Sequence, residues 1–383
     1  MIKVWQVFWQ FFILGWISFG GPAAHIGYFE RTFVQKLKWL DSESYARLIS
    51  LSQFLPGPGS SQIGFAIGLR HAGILGGFTA FIAFTFPSVL LLYILATTNQ
   101  VQEANWLANI THGLKLLAVV VVADAAFNMY KSFCQERLTI AICVLTASTL
   151  LIVPSLLTQV LVLITAALTG MKLKNTTKSS KQITSKAKIS YWPLTLFTLL
   201  FLGLPLLSQS PLWLTIFTDF YQSGSLVFGG GHVVLPMLQQ ALAETIDTDR
   251  FLLGYAAAQA VPGPMFSLSA FLGADLLNNS PLTGALIATV AIFLPGFLLV
   301  LAFNNAWQSL AKNPKVAGAT WGINASVVGL LIAALYQPVF TSAIMTPIDM
   351  AAVIIGLFAL RSMKLPIMAL VASFIAFGYL TSL

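Results

Sequence analysis

Gln53-Phe54-Leu55-Pro56-Gly57-Pro58 and Gln259-Ala260-Val261-Pro262-Gly263-Pro264 are the stretches that decide the fold. Each places a Pro-Gly-Pro step inside an otherwise apolar run, and the two lie 206 positions apart. Proline removes a backbone N–H and breaks the helical ladder. Lipid cannot satisfy the groups so freed, so such breaks are tolerated where they face protein or a water-filled cavity. Working outward, Phe19-Gly20-Gly21-Pro22 corresponds to Phe228-Gly229-Gly230-Gly231, 209 positions on, and Pro87 corresponds to Pro295, 208 on. Ala118 to Tyr130 resembles Ala325 to Tyr336 at about 207. These features, in one order and at nearly one offset, make the chain a duplication.

Composition says where the duplicated unit lives. Of 383 residues 57% are apolar and only 8% charged, with 29 Phe and 9 Trp against 12 Asp plus Glu; mean hydropathy is +0.84. That is too little charge to cover a water-soluble globule, and too much apolar surface for disorder. A polytopic all-helical membrane protein remains. The net charge of +8 does not imply nucleic acid, because six lysines fall in one short stretch, Lys172 to Lys188, whose natural partner is an anionic membrane face. Cys134 and Cys143 fit no metal-ligand spacing, and no HExxH occurs. Lys3 leads straight into an apolar segment without a cleavage site, which reads as a retained first span.

Apolar runs fall at about 4–26, 48–69, 73–97, 106–129, 138–153, 155–170, 193–207, 212–238, 252–275, 281–303, 320–340, 347–360 and 365–381. The stretch 138–170 as one helix would be about 50 Å long, too long for a core of about 30 Å. It reads as a hairpin turning near Pro154, and 347–381 reads likewise around Arg361 and Lys364. Counting every run as a crossing, with the N-terminus in the cytoplasm, puts Lys3, Arg70, Lys131, Arg137, the linker lysines, Arg250, Lys312, Lys315, Arg361 and Lys364 inside. Arg31, Lys36, Lys38 and Arg47 then lie outside, within 27–47, which reads as an interfacial helix. An odd number of runs separates equivalent spans, so the halves are expected as an inverted repeat of about 12–13 hydrophobic segments with broken or re-entrant helices. The expected organisation is a first repeat over 1–170, a basic cytoplasmic linker plus an extra helix over 171–210, and a second repeat over 211–383.

A broken helix presents a half-helix N-terminus at membrane depth, whose unpaired N–H groups and positive dipole end suit an anion. The duplicated breaks therefore nominate Gly20, Gly21, Pro22, Gln53, Pro56, Gly57 and Pro58 in the first half. Gly229, Gly230, Gly231, Gln259, Pro262, Gly263 and Pro264 are their counterparts in the second. Gln62 can donate two hydrogen bonds and Ser60 and Ser61 one each. The second half has Met265, Phe266, Ser267 and Leu268 after its Pro-Gly-Pro step, with no matching Gln, so the first is expected to carry more of the ligand contacts. That Ser and Gln only bond neighbouring helices stays open. His25 lies one turn into its half-helix, and His232 flanks the second glycine run; His71 and His112 read as interfacial. Asp124 is a carboxylate within a span: a proton carrier, or a structural ion pair with Lys131.

Phe19-Gly20-Gly21-Pro22-Ala23-Ala24-His25-Ile26 and Gln53-x-x-Pro56-Gly57-Pro58-x-x-x-Gln62 resemble the signature of the chromate ion transporter family. Phe228-Gly229-Gly230-Gly231-His232-Val233-Val234-Leu235-Pro236 and Gln259-x-x-Pro262-Gly263-Pro264 resemble its second half. The two-halved length matches the long, fused form. The resemblance implies export of chromate, or of a related oxyanion such as sulfate, across the bacterial inner membrane, driven by the membrane potential or a proton gradient. The partners expected are an oxyanion and the lipid bilayer, with a homodimer left open; no cofactor and no metal are expected. A channel or transporter for another small anion is the alternative. An embedded enzyme is the rival of another class, and the chain offers it no paired carboxylates in spans and no histidine cluster.

Overall fold

The computed structural model describes residues 1–98, 105–173, 189–207, 211–228, 233–304, 306 and 313–380. Among them every regular element is helical. The first half holds α1 (Ile2–Ile17), α2 (Gly21–Phe29), α3 (Ser42–Phe54), α4 (Gly59–Thr98), α5 (Asn105–Phe133), α6 (Arg137–Ile152) and α7 (Leu156–Leu173). α8 (Tyr191–Gly203) stands between the halves. The second half holds α9 (Leu212–Leu226), α10 (Val234–Ala241), α11 (Thr248–Ala260), α12 (Leu268–Leu276), α13 (Pro281–Phe303), α14 (Pro314–Ala334), α15 (Pro347–Arg361) and α16 (Ile367–Leu380). α4 is two arms, because its backbone leaves helical geometry at Ala72 and Gly73. Among the described residues, four helices are long and apolar enough to cross a membrane: Gly59–Thr98, Ile110–Phe133, Pro281–Phe303 and Pro314–Ala343.

The repeat extends to how helices start and touch. Asp41 caps α3 by accepting from the Ser44 N–H, and Asp247 caps α11 by accepting from Asp249 and Arg250. Reciprocal capping boxes open α6 (Glu136 with Thr139) and α15 (Thr346 with Asp349). Small residues let backbones close up at equivalent places. Gly15 of α1 lies against the Phe84 carbonyl of α4, and Gly224 of α9 against the Ile292 carbonyl of α13. Gly68 faces Gly76, and Gly273 faces Gly284. The halves also exchange helices: α5 packs on α15 and α16, while α14 packs on α6 and α7. Gly113 there meets the Phe374 carbonyl, and Gly322, 209 positions on, meets that of Ala166, so α5 and α14 correspond at 209, two residues beyond the offset of about 207 read from the sequence.

The two halves are inverted. Trp39 stacks on His71, 3.7 Å between ring centres. Lys3 is close enough for its charge to bear on His71, and Arg47 and Asp41 bear on Arg70 in the same way. The start of α3 and the end of α4's first arm therefore share one end of the molecule. The second arm runs away from that end, about 33 Å from Ile74 to Ala96 at 1.5 Å per residue. There Arg250 donates to the Ala96 carbonyl at 2.9 Å and grips Asp275 with two bonds of 2.7 Å. Arg250 begins α11 and Asp275 ends α12, the equivalents of the elements at the first end.

This arrangement corrects the expected topology. The run 4–26 is not a single crossing: the chain reverses at Gly20-Gly21, and Phe11 stacks on Phe33 at 4.7 Å and meets Phe29 edge-on. α1 and α2 are thus a hairpin returning to the end it left. Nor is 27–47 one interfacial helix: α2 runs into a π turn, Glu30–Lys36, and the chain then turns into α3. Lys3 therefore shares an end with Arg31, Lys36, Lys38 and Arg47, while Arg250 moves to the other. The runs 48–69 and 252–275 are each split at Pro-Gly-Pro, α3 from α4 and α11 from α12. The hairpins expected at Pro154 and around Arg361 are present as α6–α7 and α15–α16. A cavity joins Ser50 and Gln53 to Glu136 and Val316, so Lys131, Arg137 and Lys315 lie at the end of Lys3. Lys115 lies with Arg250, paired to the neighbouring Asp249. Among the described residues placed in this way, Lys3, Arg31, Lys36, Lys38, Arg47, Arg70, Lys131, Arg137 and Lys315 gather at one end and Lys115 and Arg250 at the other, the kind of asymmetry the sequence count anticipated. Most of the basic linker, 174–188, lies outside the described residues.

Candidate functional site

Each Pro-Gly-Pro turn is docked on the other half. The Gly57 N–H donates to the Val227 carbonyl at 2.7 Å, and the Gly263 N–H donates to the Ser18 carbonyl at 2.9 Å. Val227 and Ser18 are equivalent residues at the ends of α9 and α1. Gly57 and Gly263 have φ of +120° and +102°, a region that L side chains rarely adopt. A Cβ on Gly57 would stand 3.0 Å from Gly296 Cα, and one on Gly263 2.9 Å from Ser88 Oγ. Gly296 and Ser88 each follow the duplicated proline, Pro295 and Pro87. The turns thus plug in beside the prolines of the long helices of the opposite half, and the sequence breaks 18–22, 55–58, 227–228 and 261–264 converge.

The side chains bind these breaks together. His25 is fully buried; its Nε2 donates to the Ser18 carbonyl and its Nδ1 meets Ser60 Oγ, both at 3.2 Å. That tautomer leaves Nδ1 to accept from the serine hydroxyl. Gln62 donates from Nε2 to the carbonyls of Pro56 at 2.8 Å and Gly296 at 3.4 Å, while its Oε1 is buried without a partner. Ser88 and Ser267 share a 2.6 Å hydrogen bond across the halves. The donors of Gln62 that sequence reading offered to an anion are thus held by backbone carbonyls.

What remains uncommitted is at the start of α4. A helix leaves its first N–H groups without intrahelical partners; here the Gln62 N–H reaches the Pro58 carbonyl, so the orphans are those of Gly59, Ser60 and Ser61. The hydroxyls of Ser18, Ser61 and Thr85 are buried without hydrogen-bond partners. Each belongs to, or adjoins, a residue that touches His25: Ser18 and Ser60 by hydrogen bonds, Phe84 edge-on at 5.2 Å. Pro22 lies in the first turn of α2 and Pro264 caps the short 3-10 turn Met265–Ser267.

Other nominated residues fall elsewhere. Gln259 is buried and bonds Met265 Sδ, whereas its equivalent Gln53 is exposed in a cavity of about 520 Å³. Asp124 pairs with Arg361 at 3.5 Å and accepts from Asn128, in place of the Lys131 pairing anticipated from the chain. Gly229, Gly230, Gly231 and His232 lie outside the described residues. Sequence reading passed over Ser88, Thr85 and Ser18; the duplicated proline beside Ser88 and Gly296 was the available signal. It also passed over the cavity walls, Ser132, Glu136, Thr320 and Asn324, whose helices are brought together only by the exchange of α14.

The chain matches the family described as Chromate transporter over residues 5–171 and again over 214–379. It is 27% identical over 370 residues to a probable chromate transport protein of Synechococcus elongatus, covering 92% of this chain and 88% of that one. It is 25% identical to the chromate transport protein of Cupriavidus metallidurans, covering 94% and 88%. An uncharacterized transporter of Methanocaldococcus jannaschii is 27% identical over 86% of this chain and 82% of its own. No solved structure matches. With the family match falling once on each half of a duplicated helical membrane fold, the chain belongs to the chromate transporter family.

Proposed function

We propose that the protein is a secondary active transporter that exports chromate, or a related oxyanion such as sulfate, across a bacterial inner membrane, driven by the membrane potential or a proton gradient. In this reading 1–170 and 211–383 are the two transporting repeats and 171–210 joins them on the cytoplasmic side. The oxyanion binds where the duplicated breaks meet. Gly20, Gly21 and Pro22 with Pro56, Gly57 and Pro58 shape its first-half wall. Pro262, Gly263 and Pro264 shape the second, and the sequence repeat alone assigns Gly229, Gly230, Gly231 and His232 to it. The N–H groups of Gly59, Ser60 and Ser61 and the Ser61 hydroxyl supply hydrogen bonds, while His25 and Gln62 hold the breaks in position. The carrying observation is the reciprocal docking of Gly57 on Val227 and Gly263 on Ser18, which brings half-helix starts from both repeats to one buried place. Helix N-termini there replace part of an anion's hydration without a buried cation. Gln53 and Gln259 flank the breaks on the approach.

Asp124 is a coupling candidate only through its pair with Arg361. The relatives' names as transporters, and the absence of convergent acids around the breaks among the described residues, favour transport over membrane-embedded catalysis. The test is flux in vesicles. Radiolabelled chromate, sulfate and other oxyanions are supplied in turn, with a potassium-diffusion potential or a pH gradient imposed separately. Saturable chromate movement that responds to one driver supports the reading. Movement of a different anion with chromate excluded replaces the substrate, and no anion flux overturns it.

A further inference from the structure

The two halves are built alike but are not in the same state. On α3, Ser50 and Gln53 are exposed and face Thr320 and Asn324 of α14 across the cavity of about 520 Å³. Their equivalents on α11, Ala256 and Gln259, are 0% and 7% exposed, because α11 packs directly on α5, the equivalent of α14. Lys115 Nζ meets Asp249 Oδ1 at 2.7 Å across that contact. One turn away along α5, His112 Nε2 meets Asp349 Oδ1 at 2.8 Å. Asp349 also accepts from the N–H groups of Met345 and Thr346, so it is fixed in place. The side chains of Lys115 and Asp349 are only 8% and 7% exposed.

The equivalent positions at the cavity are Asn324 for Lys115, Trp321 for His112, Glu43 for Asp249 and Thr139 for Asp349. The cation is missing there. Asn324 Oδ1 is buried without a hydrogen-bond partner, and Glu43 pairs with Arg47 on its own helix at 3.5 Å. One end of the molecule is closed by the Lys115–Asp249 ion pair beside the His112–Asp349 hydrogen bond, and the matching end stands open with an unsatisfied amide in its wall.

We propose that Lys115–Asp249 is the closed gate of the transport cycle, with His112–Asp349 bracing α5 against α15 beside it, and that the cycle exchanges the α11–α5 contact for an α3–α14 contact. The inference rests on the alternating-access reading above. When the gate opens, Glu43 swings toward Asn324, and the closed state at that end is held by an amide in place of an ion pair. The two closed states are therefore unequal, and without substrate the protein rests with the cavity at the basic end open. Lys115 is buried while Asp249 is 58% exposed, so losing either partner breaks the pair and losing Asp249 also strands the buried ammonium; a gate variant therefore populates the opposite state.

The test is thiol accessibility in membrane vesicles, with no substrate added. In a background carrying Cys134→Ala and Cys143→Ala, Ser50→Cys and Ala256→Cys are made separately and exposed to an impermeant maleimide on each side. Ser50→Cys is expected to label from one side only and Ala256→Cys from neither. Adding Lys115→Gln, or the milder Asp249→Asn where Lys115→Gln lowers membrane levels, is expected to raise labelling at 256 several-fold from the other side. Labelling at 50 falls in the same variants. The exchanged pair Lys115→Asp with Asp249→Lys restores the parent pattern. Continued protection at 256 overturns the proposal, and so does a joint rise at both positions, which marks general loosening. Failure of the transport reading shows separately, as absent anion flux in the parent protein.

Discussion

At Gly57 the docking of the first Pro-Gly-Pro turn depends on one missing side chain. A φ of +120° and a neighbouring backbone 3.0 Å from the Cβ position leave no room for a valine. Gly57→Val is expected to abolish transport while the protein still reaches the membrane, which blotting of membrane fractions checks beside flux. Gly77 lies outside the duplicated motifs and reads from sequence as a neutral control, but a Cβ there would stand 2.9 Å from the buried Phe65 ring. Gly27, with nothing near its Cβ position, is the proper control, and Gly27→Ala is expected to transport like the parent. Gln62→Leu removes the donor to two carbonyls, so it should lower stability by about 1–3 kcal/mol, read as an earlier thermal transition in detergent. Loss of chromate affinity without loss of stability would instead make Gln62 a direct ligand contact. The glycines were legible because they are duplicated and L side chains rarely adopt φ values as large as +102° and +120°. The duties of His25 and Gln62 were not legible, since their partners Ser18, Ser60 and Gly296 are set by packing between distant elements.

Among the elements, the exchange of α5 and α14 between halves carries most of the interface. Gly113 lies against the Phe374 backbone and Gly322 against that of Ala166. Gly113→Val and Gly322→Val should each cost about 1–3 kcal/mol or more through overpacking. Thermal melts followed by tryptophan fluorescence are expected to shift down for both, and a shift for only one would show that the two contacts are not equivalent. The short paired helices were legible from run length: α6–α7 at Pro154 and α15–α16 at Arg361 follow from spans too long for one crossing. The hairpin of α1 and α2 was not, because the hydropathy of 4–26 is continuous. Gly20-Gly21-Pro22 marked a break but not a reversal, which shows in the packing of Phe11 on Phe33 and Phe29.

For the whole molecule, duplication was legible from the nearly constant offset and inversion from the odd number of runs between equivalent spans, whereas the side on which each loop lies was not, since one misread hairpin flips everything after it. The structure places Lys3, Lys38 and Arg70 at one end and Arg250 at the other. Cysteines at Lys38 and Asp247 are expected to label from opposite sides of the membrane, the former from the cytoplasm by the excess of basic residues there. The account's central claim is that an oxyanion crosses where the two Pro-Gly-Pro turns dock on opposite halves. Its most direct test is radiolabelled chromate flux into proteoliposomes bearing the parent, Gly57→Val or Gly263→Val, at matched levels of inserted protein. The account predicts saturable flux in the parent and background flux in both variants. Variants that carry chromate as fast as the parent would show that the turns only pack helices, and would contradict it.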